Sequence, residues 1–184
     1  MAGLSKGVGF FSVIAFVRER FGDDGWQQVL STLPDADQSE FAGMIPMGWY
    51  SLDMYSRLLR QLVVVHGQTS GRLLEECGAF SAEQDLTTLY KAFLRFADPG
   101  LTLDQSVKLW RRFHDTGVWR VERDDKRAVG TLTEWGCSDE HLCRELCGYL
   151  ATLIGMSRGK DAAVQHRDCR ARGASACVFA ASWR

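Results

Sequence analysis

The chain has 184 residues, 46% of them apolar, which suits one domain spanning 1–184 that buries roughly two-thirds of its unfolded surface. Lys and Arg number 22 against 23 Asp and Glu, so no overall field draws the protein to nucleic acid or to an anionic membrane. The longest early apolar run, Val8 to Val17, is shorter than the roughly 20 residues of a spanning helix and leads into Arg18, Glu19 and Arg20. It has no small-residue cleavage site after it, and a cytoplasmic protein is expected. Six cysteines without secretory context point to thiols or metal ligands rather than a disulfide framework.

Phe10, Phe11, Val13, Ile14, Phe16 and Val17 predict a mostly buried first helix that stops near Gly22. Asp23 and Asp24 suit the start of a second, with Trp26, Val29, Leu30 and Leu33 as its stripe and Pro34 as its stop. A short helix is expected over Ser39 to Gly43 and irregular chain over Met44 to Tyr50. Ser51 is an N-cap for a helix running to about His66. Gly67 to Gly71 reads as a loop. Leu73, Leu74, Cys77 and Phe80 begin another helix with a kink at Gly78, and the pattern continues from Leu86 to Phe96, where Asp98-Pro99-Gly100 ends it.

Thr102 is expected to cap a helix through Val107, Leu109, Trp110 and Phe113. The period then becomes two: Val118 to Arg123 and Ala128 to Trp135 read as hairpin strands around Asp124-Asp125-Lys126. Ser138 is expected to cap a helix reaching Met156, and strands over Ala162 to Cys169 and Ser175 to Trp183 close the chain. The expected fold is α+β: an N-terminal helical layer, then strand-strand-helix-strand-strand in an antiparallel sheet.

Cys143 and Cys147 lie one helical turn apart and share a face. His166 and Cys169 sit at a strand end, and Cys177 lies across a turn containing Gly173. A hairpin reversing there brings Cys169 and Cys177 together, so Cys143, His166, Cys169 and Cys177 make a Cys3His set of the kind that closes a tetrahedron around zinc. The alternative is that these thiols are small buried apolar groups, the usual fate of free cysteine.

The run from Cys143 to Tyr149, followed by His166-Arg-Asp-Cys169-Arg-Ala-Arg-Gly173-Ala-Ser175-Ala-Cys177-Val-Phe179 and Trp183, resembles the 4-vinyl-reductase domain family. Its phenol-sensing members hold zinc with a helix Cys, an acidic residue and two hairpin Cys. The resemblance places Cys143, Cys169 and Cys177 in those roles, with His166 where the acid stands. Phe10 to Trp26 is similar to the opening of haem nitric-oxide/oxygen-binding domains, which share an α+β architecture with the 4-vinyl-reductase domains and the vesicle-tethering TRAPP subunits. The chain as a whole looks closest to a Myxococcales-restricted family that shares Trp49-Tyr50 and the terminal Cys-Gly-Cys-Trp features.

Haem would need an axial ligand. Only His114 stands in a suitable mid-domain place, and it reads more simply as a helix-end residue whose positive charge suits the dipole. Thr131 to Trp135 lacks the Tyr-x-Ser-x-Arg motif that holds porphyrin carboxylates, so haem ranks behind the other readings. Trp49, Tyr50, Trp110, Trp119 and Trp135 are the candidate lining of a pocket for a small apolar or aromatic ligand. No phosphate loop, nucleophile elbow or His-Glu-x-x-His helix is present, and an enzyme is not expected. The expectation is a non-catalytic, homodimeric small-molecule sensor, with a zinc-pinned hairpin, that signals through a protein partner. Alternatives are a ligand-free interaction scaffold like the tethering subunits and a haem-based gas sensor.

Overall fold

The opening apolar run forms α1 (Gly7–Ser31) in the computed structural model, which describes residues 3–67, 72–85, 94 and 97–184. Gly22, at φ 76° and ψ 177°, breaks α1 into two segments, the second starting at the acidic pair Asp23-Asp24. Phe10, Val13, Val17 and Val29 are fully buried along it. The next helix, α2 (Asp35–Ala42), starts earlier than Ser39 because Pro34, besides stopping α1, stands at the N-cap ahead of Asp35 and Asp37.

The segment expected to be irregular holds a strand. β1 (Leu4–Lys6) pairs antiparallel with β2 (Trp49–Ser51), Leu4 opposite Ser51 and Lys6 opposite Trp49. Three residues are too few for a period-two pattern to register. Ser51 accepts the Asp53 backbone N–H at 3.2 Å and caps α3 (Leu52–His66), whose Leu52, Leu58, Leu59 and Leu62 are fully buried. The expected loop at 68–71 and the helical pattern over 86–93 and 95–96 lie outside the described residues.

No kink occurs at Gly78, because α4 (Leu73–Asp85) runs straight through it. A Cβ at Gly78 would strike the Glu145 carbonyl, and one at Gly148 would strike the Glu75 carbonyl. The two glycines let α4 cross α6 (Glu140–Met156) backbone against backbone. Two caps also differ from expectation. Asp98 accepts the N–H groups of Gly100 at 2.8 Å and Leu101 at 3.2 Å, so Asp98-Pro99 starts α5 (Pro99–Phe113) and Thr102 lies inside it. Asp139, not Ser138, caps α6 through the His141 N–H at 2.9 Å.

β3 (Val118–Asp124), β4 (Arg127–Thr133), β5 (Ala163–Asp168) and β6 (Cys177–Ser182) form one antiparallel sheet in the order β3-β4-β6-β5. The fold is α+β, with helices preceding the sheet and α6 inserted between its two hairpins. One buried apolar cluster runs through both layers, from Phe10 and Leu58 to Leu132, Leu142, Ile154 and Phe179. Among the described residues no helix is long and apolar enough to cross a membrane.

Candidate functional site

Four donors expected from the sequence meet in the structure. One ligand atom each from Cys143, His166, Cys169 and Cys177 lies within 4.8 Å of all the others. Each comes from a different local setting. The i, i+3/i+4 face of α6 turns Cys143 toward the sheet, and the pleat puts His166 on the same face as Phe179, against which its ring stacks at 5.1 Å. The register of β5 slips between His166 and Asp168, a bulge that brings Cys169 in just beyond the strand end. After the 3₁₀ turn at Arg170–Arg172, Gly173 takes φ 91°, a left-handed conformation that lets the chain reverse and deliver Cys177.

Cys143, Cys169 and Cys177 are 1%, 1% and 3% exposed. A hydrogen bond from the Cys143 thiol, helped by the Arg170 N–H, holds Cys177 well below the usual thiol range. The same bond to Cys177, with burial, pushes Cys143 up. Burial also raises Cys169. His166 Nε2 is buried with no hydrogen-bond partner. A tetrahedral zinc with sulfur ligands needs roughly 3.8 Å between them, so closing on an ion takes a contraction of about 1 Å at most.

The other cysteines stay out of the cluster. Cys147, one turn along α6, accepts the His166 backbone N–H, and burial raises its thiol to about 12. Cys77 is raised by burial, and Cys137, near Asp53, is raised to about 11, chiefly by burial. His66 stacks on Phe21 at 4.0 Å, and His141 Nδ1 donates to Asp139 at 2.8 Å.

A second feature is a cavity of about 180 Å³ between the start of α1, α5, α6 and β3. Trp110, Phe113, Trp119, Leu146, Leu150 and Leu153 make its apolar wall. Trp119 Nε1 donates to Ser106 Oγ at 2.9 Å, and Trp110 Nε1 donates to the Thr116 carbonyl at 3.0 Å. Two of the five aromatic residues expected to line a pocket are therefore there. Trp135 stands behind them, edge-on to Trp110 at 5.5 Å. Trp49 and Tyr50 are elsewhere because pairing with β1 fixes their directions. Trp49 is 42% exposed beneath Lys6 Nζ at 3.9 Å, and Tyr50 packs on Phe10 while its hydroxyl accepts the Ile45 N–H at 2.8 Å.

His114 also belongs to this wall, which its place at the end of a helix did not suggest. It is the C-cap of α5, bridged to Ser5, with its ring stacked on Trp110 at 4.2 Å. Burial lowers it to about 4, so it is neutral at pH 7 and does not supply the positive helix-end charge expected of it. Its closeness to Trp110 in sequence was the available signal.

No family model matches the chain, and no curated protein matches it. The 4-vinyl-reductase and tethering-subunit resemblances thus gain no support from these comparisons. Solved structures do match over nearly the whole length. An H-NOX protein from S. oneidensis in the Fe(II)NO ligation state aligns with TM-score 0.71 at 14% identity, covering 97% of this chain and 99% of the other. The Fe(II) unliganded H-NOX protein from K. algicida gives 0.68 at 14% identity, covering 97% and 96%. An H-NOX family member in which haem distortion was probed gives 0.64 at 11% identity, covering 97% and 95%. The resemblance to haem nitric-oxide-binding domains read from Phe10 to Trp26 holds at the level of architecture: this chain has the H-NOX fold.

Proposed function

We propose that the protein is a non-catalytic sensor domain that takes a small apolar molecule into the cavity beneath Trp110 and Trp119 and is stabilised by zinc at Cys143, His166, Cys169 and Cys177. The convergence of four donor atoms from three separate segments carries the zinc reading. It is reinforced by the unpartnered His166 Nε2, since buried polar groups ordinarily find partners. The metal would act structurally, tying α6 to the terminal hairpin, because four protein ligands leave no open position for chemistry. Zinc content of protein purified without added metal tests this, together with melting before and after chelation. Metal-free protein unaffected by chelator would end the zinc reading.

The cavity's size argues for the ligand class. An apolar cavity of about 150 Å³ admits benzene, so about 180 Å³ accommodates one six-membered ring with a small substituent. Thermal-shift measurement with phenol, benzyl alcohol and cyclohexanol tests it, with loss of any shift in Leu150→Trp. A melting temperature unmoved by all three at millimolar concentration would favour the scaffold reading.

The fold comparison favours the haem-based gas sensor over the other readings, because the neighbours are iron-bearing H-NOX proteins. The described residues of this chain do not fit that group. The cavity is below the roughly 300–1,000 Å³ of drug-sized sites, and a porphyrin is larger than most such ligands. Its one histidine among the described lining residues, His114, has Nδ1 buried without a hydrogen-bond partner, the one feature here that suits an iron ligand, although its ring is packed on Trp110. Its one described cation, Lys6, donates to the Met47 carbonyl at 2.7 Å. An absorbance scan after incubation with haemin separates the readings, since a stoichiometric Soret band would establish the haem sensor. Output to a signalling partner or a second copy of the chain completes the proposal, and light scattering with and without ligand reads the oligomeric part.

A further inference from the structure

We propose that Arg170 couples the metal centre to the cavity, so that filling the Cys3His site positions the aromatic wall through Trp135; this rests on the zinc reading above. Arg170 stands directly after the ligand Cys169, on the turn leading to Cys177. Its backbone N–H donates to Cys177 Sγ at 3.4 Å, and its guanidinium Nη1 donates to the Trp135 carbonyl at 2.6 Å. One residue thus contacts both a ligand sulfur and the segment joining β4 to α6.

Trp135 is 5% exposed, and its Nε1 is buried without a partner, so packing and the backbone hold it: Arg170 on its own carbonyl, the Gly117 N–H on the Glu134 carbonyl before it and Thr116 Oγ1 on the Gly136 N–H after it. Its ring lies edge-on to Trp110 at 5.5 Å and to His114 at 5.6 Å, and both of those line the cavity. The turn is closed by backbone bonds from Arg172 and Ala174 to the Cys169 carbonyl and from Gly173 to the Arg170 carbonyl. Drawing the four donors onto one ion shifts Cys169 and Cys177, and Arg170, covalently next to one and hydrogen-bonded to the other, moves with them. Trp135, tied to Arg170 through its carbonyl, follows the hairpin. Linkage makes the effect reciprocal: a ligand that presses on Trp110 changes zinc affinity by the same factor that zinc changes ligand affinity.

The test uses the full chain, isotope-labelled, with zinc removed by chelation and returned in a titration to one equivalent. Ring signals of His166, His114 and Trp135 are followed by nuclear magnetic resonance. In the wild type all three shift with the same zinc dependence. In Arg170→Met, zinc still binds one to one and still moves His166, while the Trp135 and His114 shifts fall below a third of their wild-type size. Zinc that moves His166 in the wild type but leaves Trp135 and His114 in place overturns the coupling, as does a full response in Arg170→Met. Should that variant not fold, Arg170→Gln replaces it and is read by the same two signals, because His166 also reaches Trp110 through Phe179 and Trp119. A His166 signal that zinc does not move, with no metal bound, removes the zinc reading and the coupling with it.

Discussion

Replacing Asp139 with Asn should remove most of the acid sensitivity of the junction between α3 and α6. The Asp139 side chain is 3% exposed and accepts from four donors: the Ser56 hydroxyl, Arg60 Nε at 2.6 Å, the His141 N–H at 2.9 Å and His141 Nδ1 at 2.8 Å. Burial by itself would raise this carboxyl, but Ser56, His141 and Arg60 outweigh it and hold the group at about 2 instead of 3.8. That difference is worth about 2 kcal/mol of folding stability. Because the folded value is depressed, the contribution is complete above about pH 5 and is lost as pH falls through about 2. Asn keeps an N-cap acceptor, so Asp139→Asn isolates the charge from the cap. Urea unfolding from pH 7 to pH 2.5 should show the variant less stable by about 2 kcal/mol at pH 7, equivalent to a melting temperature lower by roughly 4–8 °C, with the gap narrowing toward pH 2.5. A gap that stays constant across that range would refute the network as the origin of the shift.

Gly148→Ala should destabilise the fold by at least about 2 kcal/mol in urea titration, since its Cβ meets the Glu75 backbone and the helices must separate; Gly155→Ala, with open space around it, should be neutral or stabilising. Cys177→Ser should lower zinc content from one per chain to below a tenth in emission spectroscopy, whereas Cys147→Ser should retain the metal. Wild-type protein should lose stability between about pH 6.5 and pH 4, because the unfolded chain protonates His114 while burial holds the folded imidazole neutral until about pH 4. His114→Phe should flatten that part of the pH–stability curve, and an unchanged slope would contradict the assigned burial.

The helices with a clear 3.6-residue stripe were readable from the chain, and α3 begins and ends where Ser51 and His66 say it should. The hairpins were equally plain once the period changed to two. What escaped were features without periodicity. β1 and β2 are three residues each, and the close approach of Gly78 and Gly148 depends on two helices distant in sequence, so Gly78 read as a kink when it is a contact surface. The four-donor cluster was legible because three of its residues fall within twelve positions, and Cys143 occupies the inward face of α6. The cavity was legible only in part. Composition named its tryptophans, but Trp49 and Tyr50 belong to a strand whose direction is set by pairing with residues 4–6, and His114 joined the wall through a fold-level contact with Ser5.

Zinc and iron measured together, per chain, in protein purified without added metal or haem decide between a zinc-pinned hairpin and a haem pocket. One zinc and no iron per chain are expected. One iron with a Soret band and no zinc would contradict that expectation and would make this chain a haem protein like its structural neighbours.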